Sequence, residues 1–281
     1  MKKILNISFI ILLSAGIIVL LGFVNRDPAN GNCNNIQVKI VRPDGNMYIS
    51  EDEVRDQIIT YCNNDATQEL SIDKIAEIED NLKKNPIIEK CDIYMDVNGS
   101  INANIKQRRP IGRIINAMNE SFYLDENGYM IPAIVGRPAR VVAVSGHIYE
   151  SFAPNPYYIE NDSAAAISIL DELYHIIKYI DKYPFWKSQI EQIYVTNQKK
   201  FILIPKVGTH EIHFGFADHI EGKFKKLELF YQKGMTRDGW AGYKEVDLQF
   251  KNQIICRGAN VLYAPQTETN FIQDTTNLII Q

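Results

Sequence analysis

The sequence predicts an α+β protein with an N-terminal transmembrane helix, a small β-α-α-β-β domain and a larger mixed β-sheet domain with flanking helices. Three observations predict this organisation. The chain begins with an uncharged apolar run from Ile4 to Val24. Residues 36–108 combine strand and helix periodicity, whereas residues 109–264 are rich in short strand patterns. A chain of 281 residues is long enough for two such folded units.

The N-terminal run is typical of a membrane anchor. Its 21 residues, Ile4 to Val24, carry no charge. At about 1.5 Å per residue they span roughly 31 Å, the thickness of a hydrocarbon core. A cleaved signal peptide is the alternative, but its apolar region usually has only about 7–15 residues and ends at a small-residue site. Lys2 and Lys3 predict a cytoplasmic end at residues 1–3, because positive charge is retained inside. The body is then expected outside the membrane, after an Asn-, Pro- and Gly-rich spacer at residues 25–35.

The charge balance argues against nucleic acid as a partner. With 30 Lys+Arg against 34 Asp+Glu, the chain lacks the surplus of cations that binding to a polyanion requires. Its four cysteines, Cys33, Cys62, Cys91 and Cys256, permit three complete disulfide pairings in an oxidising compartment. The sequence does not choose among these pairings, and buried free thiols are the alternative.

Residues 36–108 predict the order strand, helix, helix, strand, strand. Residues 36–40 alternate apolar and polar side chains, as a half-buried strand does. Ser50 stands three residues before Glu53, the spacing of a capping box, so a helix is expected to begin there. A second helix is expected after Ser71, with an apolar face formed by Ile75, Ile78 and Leu82. Residues 87–97 and 101–105 are typical of two strands joined across Asn98-Gly99-Ser100.

Residues 109–264 predict a strand-rich domain with two longer helices. Short strands are expected at residues 111–116, 122–124, 129–131, 140–144, 190–195, 201–204 and 210–214. One helix is expected to begin at a cap formed by Asn161 or Asp162, and another at the cap spacing of Asp218 and Glu221. A hairpin over residues 244–258 follows, and residues 265–281 are expected to be a flexible tail.

The junction between the two predicted domains carries a small basic cluster. Arg108 and Arg109 stand directly before Pro110, with no loose linker on either side. The two domains are therefore expected to share a nearly continuous strand. Charge at a strand end is most often solvated, and we expect that here.

No group of residues predicts catalysis, and no catalytic, metal-binding or cofactor-binding residue is assigned. His210 and His213 fall in a predicted strand, where side chains alternate between faces, so they are not expected to chelate one ion as a helical H-E-x-x-H does. The sequence has no G-x-S-x-G elbow and no Gly-rich phosphate loop after a strand. We therefore expect a protein that is not an enzyme and needs no cofactor. An enzyme with an unfamiliar site is the alternative.

Several short segments, taken in their order, resemble a known family. They are Asn85-Pro86-Ile87-Ile88, Arg108-Arg109-Pro110-Ile111, FYLDENGY at residues 122–129, Phe224-Lys225-Lys226-Leu227 and Val246-Asp247-Leu248-Gln249-Phe250. From about Ile36 to Gly258 the chain resembles the FtsQ/DivIB family of bacterial cell-division proteins. It departs from the family in its very short cytoplasmic end, in Gln107 where an acidic residue is usual, and in Gln249-Phe250 where Arg-Tyr is common.

The resemblance implies a POTRA-like domain at residues 36–108 and an FtsQ-type β domain at residues 109–264. It further implies a non-enzymatic divisome scaffold in the inner (plasma) membrane, located at the division septum. Such a scaffold recruits FtsB- and FtsL-like (DivIC-like) partners and coordinates septal peptidoglycan synthesis. In similar proteins the strand that matches residues 250–254 accepts an added strand from the partner. The resemblance therefore assigns partner binding to Phe250, Asn252, Gln253 and Ile254.

The sequence itself supports an accessible strand at this place. No proline occurs from Tyr243 to Ala264, and an edge strand that is not blunted by proline is a template for another chain. The alternation of Val246, Leu248 and Phe250 leaves another interpretation open, in which Phe250 lies on the core face. Two other functions also stay open: an envelope transport or assembly factor that uses its POTRA-like domain, and a secreted enzyme of unknown class.

Overall fold

The computed structural model describes residues 35–63, 72–96, 99–153, 168–233, 242–251, 253–258 and 278–279. The chain divides into two compact units. The first contains the chain up to Arg42 together with Ile49–Gln107, and the second contains Pro43–Tyr48 together with the chain from Arg108 onward. Both units combine helices and strands, which confirms the predicted α+β class. Among the described residues, no helix has the length and apolar character needed to cross a membrane, and the predicted anchor at residues 4–24 lies outside them.

The first unit has the predicted order of strand, helix, helix, strand and strand. Its elements are β1 (Ile36–Val41), α1 (Glu51–Asn63), α2 (Ile72–Lys83), β2 (Ile88–Met95) and β3 (Ile101–Gln107). β3 is the middle strand, parallel to β1 and antiparallel to β2. The predicted capping box is confirmed: the Ser50 hydroxyl accepts the Glu53 N–H at 3.2 Å, and the Glu53 carboxylate accepts the Ser50 N–H at 2.8 Å. Each side chain thus satisfies a backbone donor that the first turn of α1 leaves unpaired.

The cysteines do not form a complete set of disulfides. Cys62 is disulfide-bonded, whereas Cys91 and Cys256 are buried free thiols. None of the three complete pairings that four cysteines permit is therefore formed. Burial raises the pKa of Cys91 to about 12 and the pKa of Cys256 to about 11. Because the thiolate is the reactive form, both thiols are expected to be inert at neutral pH.

The second unit is built on one long mixed sheet. Its strands are β4 (Pro110–Ile115), β5 (Ser121–Asp125), β6 (Met130–Pro132), β7 (Val142–Gly146), β8 (Ile190–Val195), β9 (Phe201–Pro205), β10 (Glu211–Gly215), β11 (Tyr243–Asp247), β12 (Ile255–Gly258) and β13 (Leu278–Ile279). Over the described residues the sheet has ten strands in the order β13-β12-β11-β10-β9-β8-β7-β4-β5-β6. β7 is parallel to both β4 and β8, and β10 is parallel to β11. The sheet therefore has β6 at one end and β13 at the other.

Helices α3 (Ile169–Lys182), α4 (Pro184–Gln189) and α5 (Ile220–Lys233) share one hydrophobic core with this sheet. The cap of α3 is Ser168, whose hydroxyl accepts the Leu170 N–H at 3.2 Å while Asp171 accepts the Ser168 N–H at 2.8 Å. The helix is therefore capped by Ser168 and not by Asn161 or Asp162 as predicted, and those two residues lie outside the described ones. The sequence did not predict α4, a single short helix with a proline in its first turn.

The basic cluster at the start of the second unit is paired and not simply solvated. Arg108 is 8% exposed and donates from Nη1 to Oδ2 of Asp125 at 2.8 Å. Arg109 donates to Glu126 at 2.9 Å and to both carboxylate oxygens of Asp181 at 3.1 and 2.7 Å. The two arginines stand between β3 and β4, which belong to different sheets. The strand predicted to be nearly continuous is interrupted at these two residues, between Gln107 and Pro110.

Candidate partner-binding edge

The hairpin of β11 and β12 lies close to one end of the ten-stranded sheet. The two strands are antiparallel, with Asp247 opposite Ile255, which confirms the hairpin predicted over residues 244–258. On its other side β11 lies parallel to β10, so the hairpin extends the sheet. β13 follows β12 and pairs with it at Ile255 and Cys256. The tail predicted to be flexible therefore includes a short strand.

The residues predicted to bind a partner precede β12, which lies next to the end of the sheet. A strand was expected over residues 250–254, but β12 begins only at Ile255, and residues 248–254 connect it to β11. The side chains of Leu248 and Ile254 are buried in the domain core, with 0% and 5% exposure. Between these two buried residues, Gln249, Phe250 and Lys251 are exposed.

The side chain of Lys226 on α5 binds the backbone of this connection. The Lys226 ammonium donates to the carbonyl oxygens of Leu248, at 2.8 Å, and of Phe250. Burial lowers the pKa of Lys226 because the ammonium loses part of its hydration. The two carbonyl oxygens replace some of that water. The lysine thereby fixes the backbone on both sides of Gln249.

Asp247 and Gly215 shape the first turn of the connection. The Asp247 carboxylate accepts the backbone N–H of Gln249 at 2.9 Å and its side-chain amide at 3.2 Å, as in an Asx turn. Gly215 has a φ of +77°, and a Cβ there would lie 2.6 Å from the Gln249 Cγ. A larger residue at position 215 would strain the backbone and displace Gln249.

Phe250 is the exposed apolar residue of the connection. It is 45% exposed, so the interpretation that places it on the core face is wrong. Together with Lys251 it lines a cavity of about 530 Å³ next to the start of α5. The other residues that line this cavity are Asp218, His219, Gly222, Lys223, Lys226, Leu248 and Gln249.

The other three residues predicted to bind a partner are Asn252, Gln253 and Ile254. Gln253 is half-buried, Ile254 is buried, and Asn252 lies outside the described residues. The burial of Ile254 means that its side chain supports the core and is not available to a partner. Partner binding by Phe250, Asn252 and Gln253 stays a prediction.

His210, which directly precedes β10, and His213, which lies within β10, do not form a joint site. His210 is 1% exposed, and its Nε2 lies 3.1 Å from the Tyr231 hydroxyl. His213 is half-buried, with its Nε2 at 3.6 Å from a Glu211 carboxylate oxygen. Within the ranges that the structure describes, no group of three His, Cys, Asp or Glu side chains could hold a metal ion.

Two features of this edge were not predicted from the sequence. Nothing in the amphipathic pattern of α5 marks Lys226 as a donor to carbonyls 22 and 24 residues further along the chain. β13 has one signal in the sequence, the apolar run Leu278-Ile279-Ile280 after a polar tract. That run could have predicted a strand, but it gives no partner for it.

Comparison with known proteins gives two family matches. Residues 109–257 match the family described as FtsQ/DivIB, C-terminal related, and residues 31–106 match the POTRA-like domain. The first match covers just over half of the 281 residues and includes α5, β11 and most of β12. No curated protein matches the chain.

Proposed function

The chain belongs to the FtsQ/DivIB, C-terminal related family and carries a POTRA-like domain, and from this membership we propose that it is a non-enzymatic scaffold of the bacterial divisome. Residues 4–24 anchor it in the inner membrane, and its body acts outside the membrane at the division septum. There it recruits membrane partners of the FtsB and FtsL (DivIC-like) type. Through them it coordinates septal peptidoglycan synthesis.

The observation that supports recruitment is the geometry of the last hairpin. β12 lies next to the end of the sheet and is paired on its outer side over two positions, Ile255 and Cys256. A strand at such an edge binds a partner strand through main-chain hydrogen bonds, each worth on the order of 1 kcal/mol net. Pockets for alternate side chains supply the specificity. The cavity beside Phe250 is a suitable pocket for one partner side chain.

The four residues predicted to bind a partner have different roles in this proposal. Phe250 presents an exposed aromatic ring, and Asn252 and Gln253 follow it on the way into β12. Ile254 keeps the connection in place from the core side. Modest contacts suffice, because two proteins anchored in one membrane meet at a raised effective concentration.

Paired alanine variants test the proposal. Phe250→Ala removes the exposed ring of the connection, and Phe185→Ala on α4 is its matched control, because Phe185 is 47% exposed against 45% for Phe250. A photoreactive residue at position 252 reports capture of an FtsB-like partner in living cells. We expect Phe250→Ala to lower capture by at least about 10-fold, as for an aromatic hot spot worth about 1.4 kcal/mol or more. Both variants should keep the unfolding temperature of the unchanged protein.

Equal capture by the two folded alanine variants would refute recruitment through this edge. Localisation gives an independent check, because a divisome scaffold concentrates at midcell. A uniform distribution around the envelope would instead support a transport or assembly factor.

A further inference from the structure

The chain's own tail lies on the edge that the proposed function assigns to a partner. β13 is two residues long, and it pairs antiparallel with β12 so that Ile279 stands opposite Ile255 and Leu278 opposite Cys256. It occupies the place in the sheet that an added partner strand would take. Residues 259–277 connect the two strands along the chain.

We propose that β13 is a built-in competitor, a pseudo-partner strand that a binding partner has to displace from β12. The pairing of β13 with β12 is observed in the sheet. That it controls access of a partner to β12, its gating role, rests on the proposed function. The tail sequence fits a strand, because Leu278, Ile279 and Ile280 are apolar and β-prone and no proline occurs at residues 266–281.

The pairing that the structure describes between β12 and β13 is short. β12 has four residues, Ile255–Gly258, and β13 pairs with the first two. In the part of the chain that the structure describes, Arg257 and Gly258 pair with β11 on the inner side and with no strand on the outer side. A partner strand that pairs along all four residues of β12 has to replace the tail at Ile255 and Cys256. A partner with a strand of four or more residues makes more pairs than the two that the structure describes for the tail.

Covalent attachment makes even a weak tail an effective competitor. A tethered segment meets its site at an effective concentration on the order of 1 mM. If the free segment binds with a Kd on the order of 0.1 mM, the tethered copy weakens every competing strand by about 10-fold. The tail would then raise by the same factor the intrinsic affinity that any partner strand needs.

A peptide made from the tail itself tests the pairing without any partner. The probe is a fluorescein-labelled peptide of residues 274–281 (DTTNLIIQ), and its binding to the full-length protein in detergent is measured by fluorescence polarisation. Ile279→Pro removes a backbone donor from β13 and disfavours its pairing. Thr275→Pro places the same residue type in the tail, three residues before the two paired positions that the structure describes.

We expect the Ile279→Pro protein to bind the probe about 10-fold more tightly than the unchanged protein and the Thr275→Pro protein. Amide exchange over residues 253–258, measured without the probe, should rise in Ile279→Pro alone. Equal probe affinity in all three proteins, or unchanged exchange, would overturn the proposal. Concentration-dependent dimers that Ile279→Pro abolishes would also overturn it, because the tail would then pair with a second copy.

The two proposals fail in different experiments. The peptide assay needs no division partner, so a negative result there leaves the scaffold function standing. If the pairing holds, Ile279→Pro should capture the FtsB-like partner at about 10-fold lower protein concentration than Thr275→Pro. Capture at equal concentrations would overturn the gating role. Loss of all capture, with a positive peptide assay, would instead refute the scaffold function.

Discussion

Arg108 and Asp125 form a buried ion pair at the start of the second unit, with Nη1 of Arg108 donating to Oδ2 of Asp125 at 2.8 Å. Asp125 is 1% exposed, and its other carboxylate oxygen accepts the N–H groups of Asn127 at 2.9 Å and of Tyr129 at 2.7 Å. The Arg108 guanidinium lies 4.0 Å from the centre of the Tyr129 ring. Burial raises the pKa of Asp125 although the arginine and the two N–H groups oppose the shift. The arginine therefore offsets part of the free-energy cost of burying the Asp125 carboxylate. The same carboxylate closes the turn between β5 and β6.

Replacing Arg108 by methionine should destabilise the second unit by about 3 kcal/mol, because it leaves a buried carboxylate without its counter-ion. Tryptophan fluorescence during urea unfolding measures this, since Trp186 is buried in the core of that unit. The double variant Arg108→Met/Asp125→Asn should recover part of the loss, because asparagine keeps the acceptor for the turn. Arg257→Met is the control: its pair with Glu245 at 2.7 Å is exposed and worth about 0–1 kcal/mol. A loss for Arg108→Met no larger than for Arg257→Met would contradict the assigned role.

Lys226 should control the order of the connection next to Phe250. Lys226→Met removes the donor to the carbonyls of Leu248 and Phe250, so amide exchange over residues 248–254 should accelerate about 10-fold. Partner capture should fall with it, because the connection is no longer pre-organised. Lys225→Met is the matched control, since Lys225 is exposed and pairs with Glu221 at 2.6 Å. Identical exchange in the two variants would show that the lysine does not hold the connection.

Ile254 and its neighbour Gln253 should respond differently to the same charge. Ile254→Asp places a carboxylate in the core and is expected to cost at least about 3 kcal/mol of stability. Gln253→Asp, at a half-buried position, is expected to change stability by less than about 1 kcal/mol. Circular dichroism during thermal unfolding separates the two. A stable Ile254→Asp protein that loses capture would mean that Ile254 contacts the partner directly.

The sequence predicts most elements of this fold because their signals are local. The capping box of Ser50 and Glu53 and the apolar face of α2 each involve residues within two or three helical turns. The alternation that predicts β11 is equally local. Such patterns arise because a helix or strand that buries one face repeats apolar residues at its own period. They can therefore be recognised without knowledge of the rest of the chain.

The parts that sequence reasoning misses depend on contacts between distant residues. The alternation of Leu248 and Phe250 continues the pattern of β11 beyond its end, so it wrongly extends the strand into the connection. The ends of that connection are fixed by Lys226 and by the burial of Ile254, and neither is encoded in the neighbouring residues. The pairing of Arg109 with Asp181, 72 positions away, is hidden for the same reason.

His210 should make the second unit less stable in mild acid. Its imidazole is 1% exposed, and burial lowers its pKa to about 4, against 6.5 for an unperturbed histidine. As the pH falls below 6.5, the unfolded chain takes up a proton at this residue while the folded protein does not, so stability declines. Between pH 8 and pH 5 the loss should be about 2 kcal/mol, before most carboxylates titrate. Urea unfolding of the unchanged protein and of His210→Gln at several pH values measures it. The variant should show a flatter pH dependence by about this amount, whatever its stability at pH 8, and parallel curves for the two proteins would contradict the assignment.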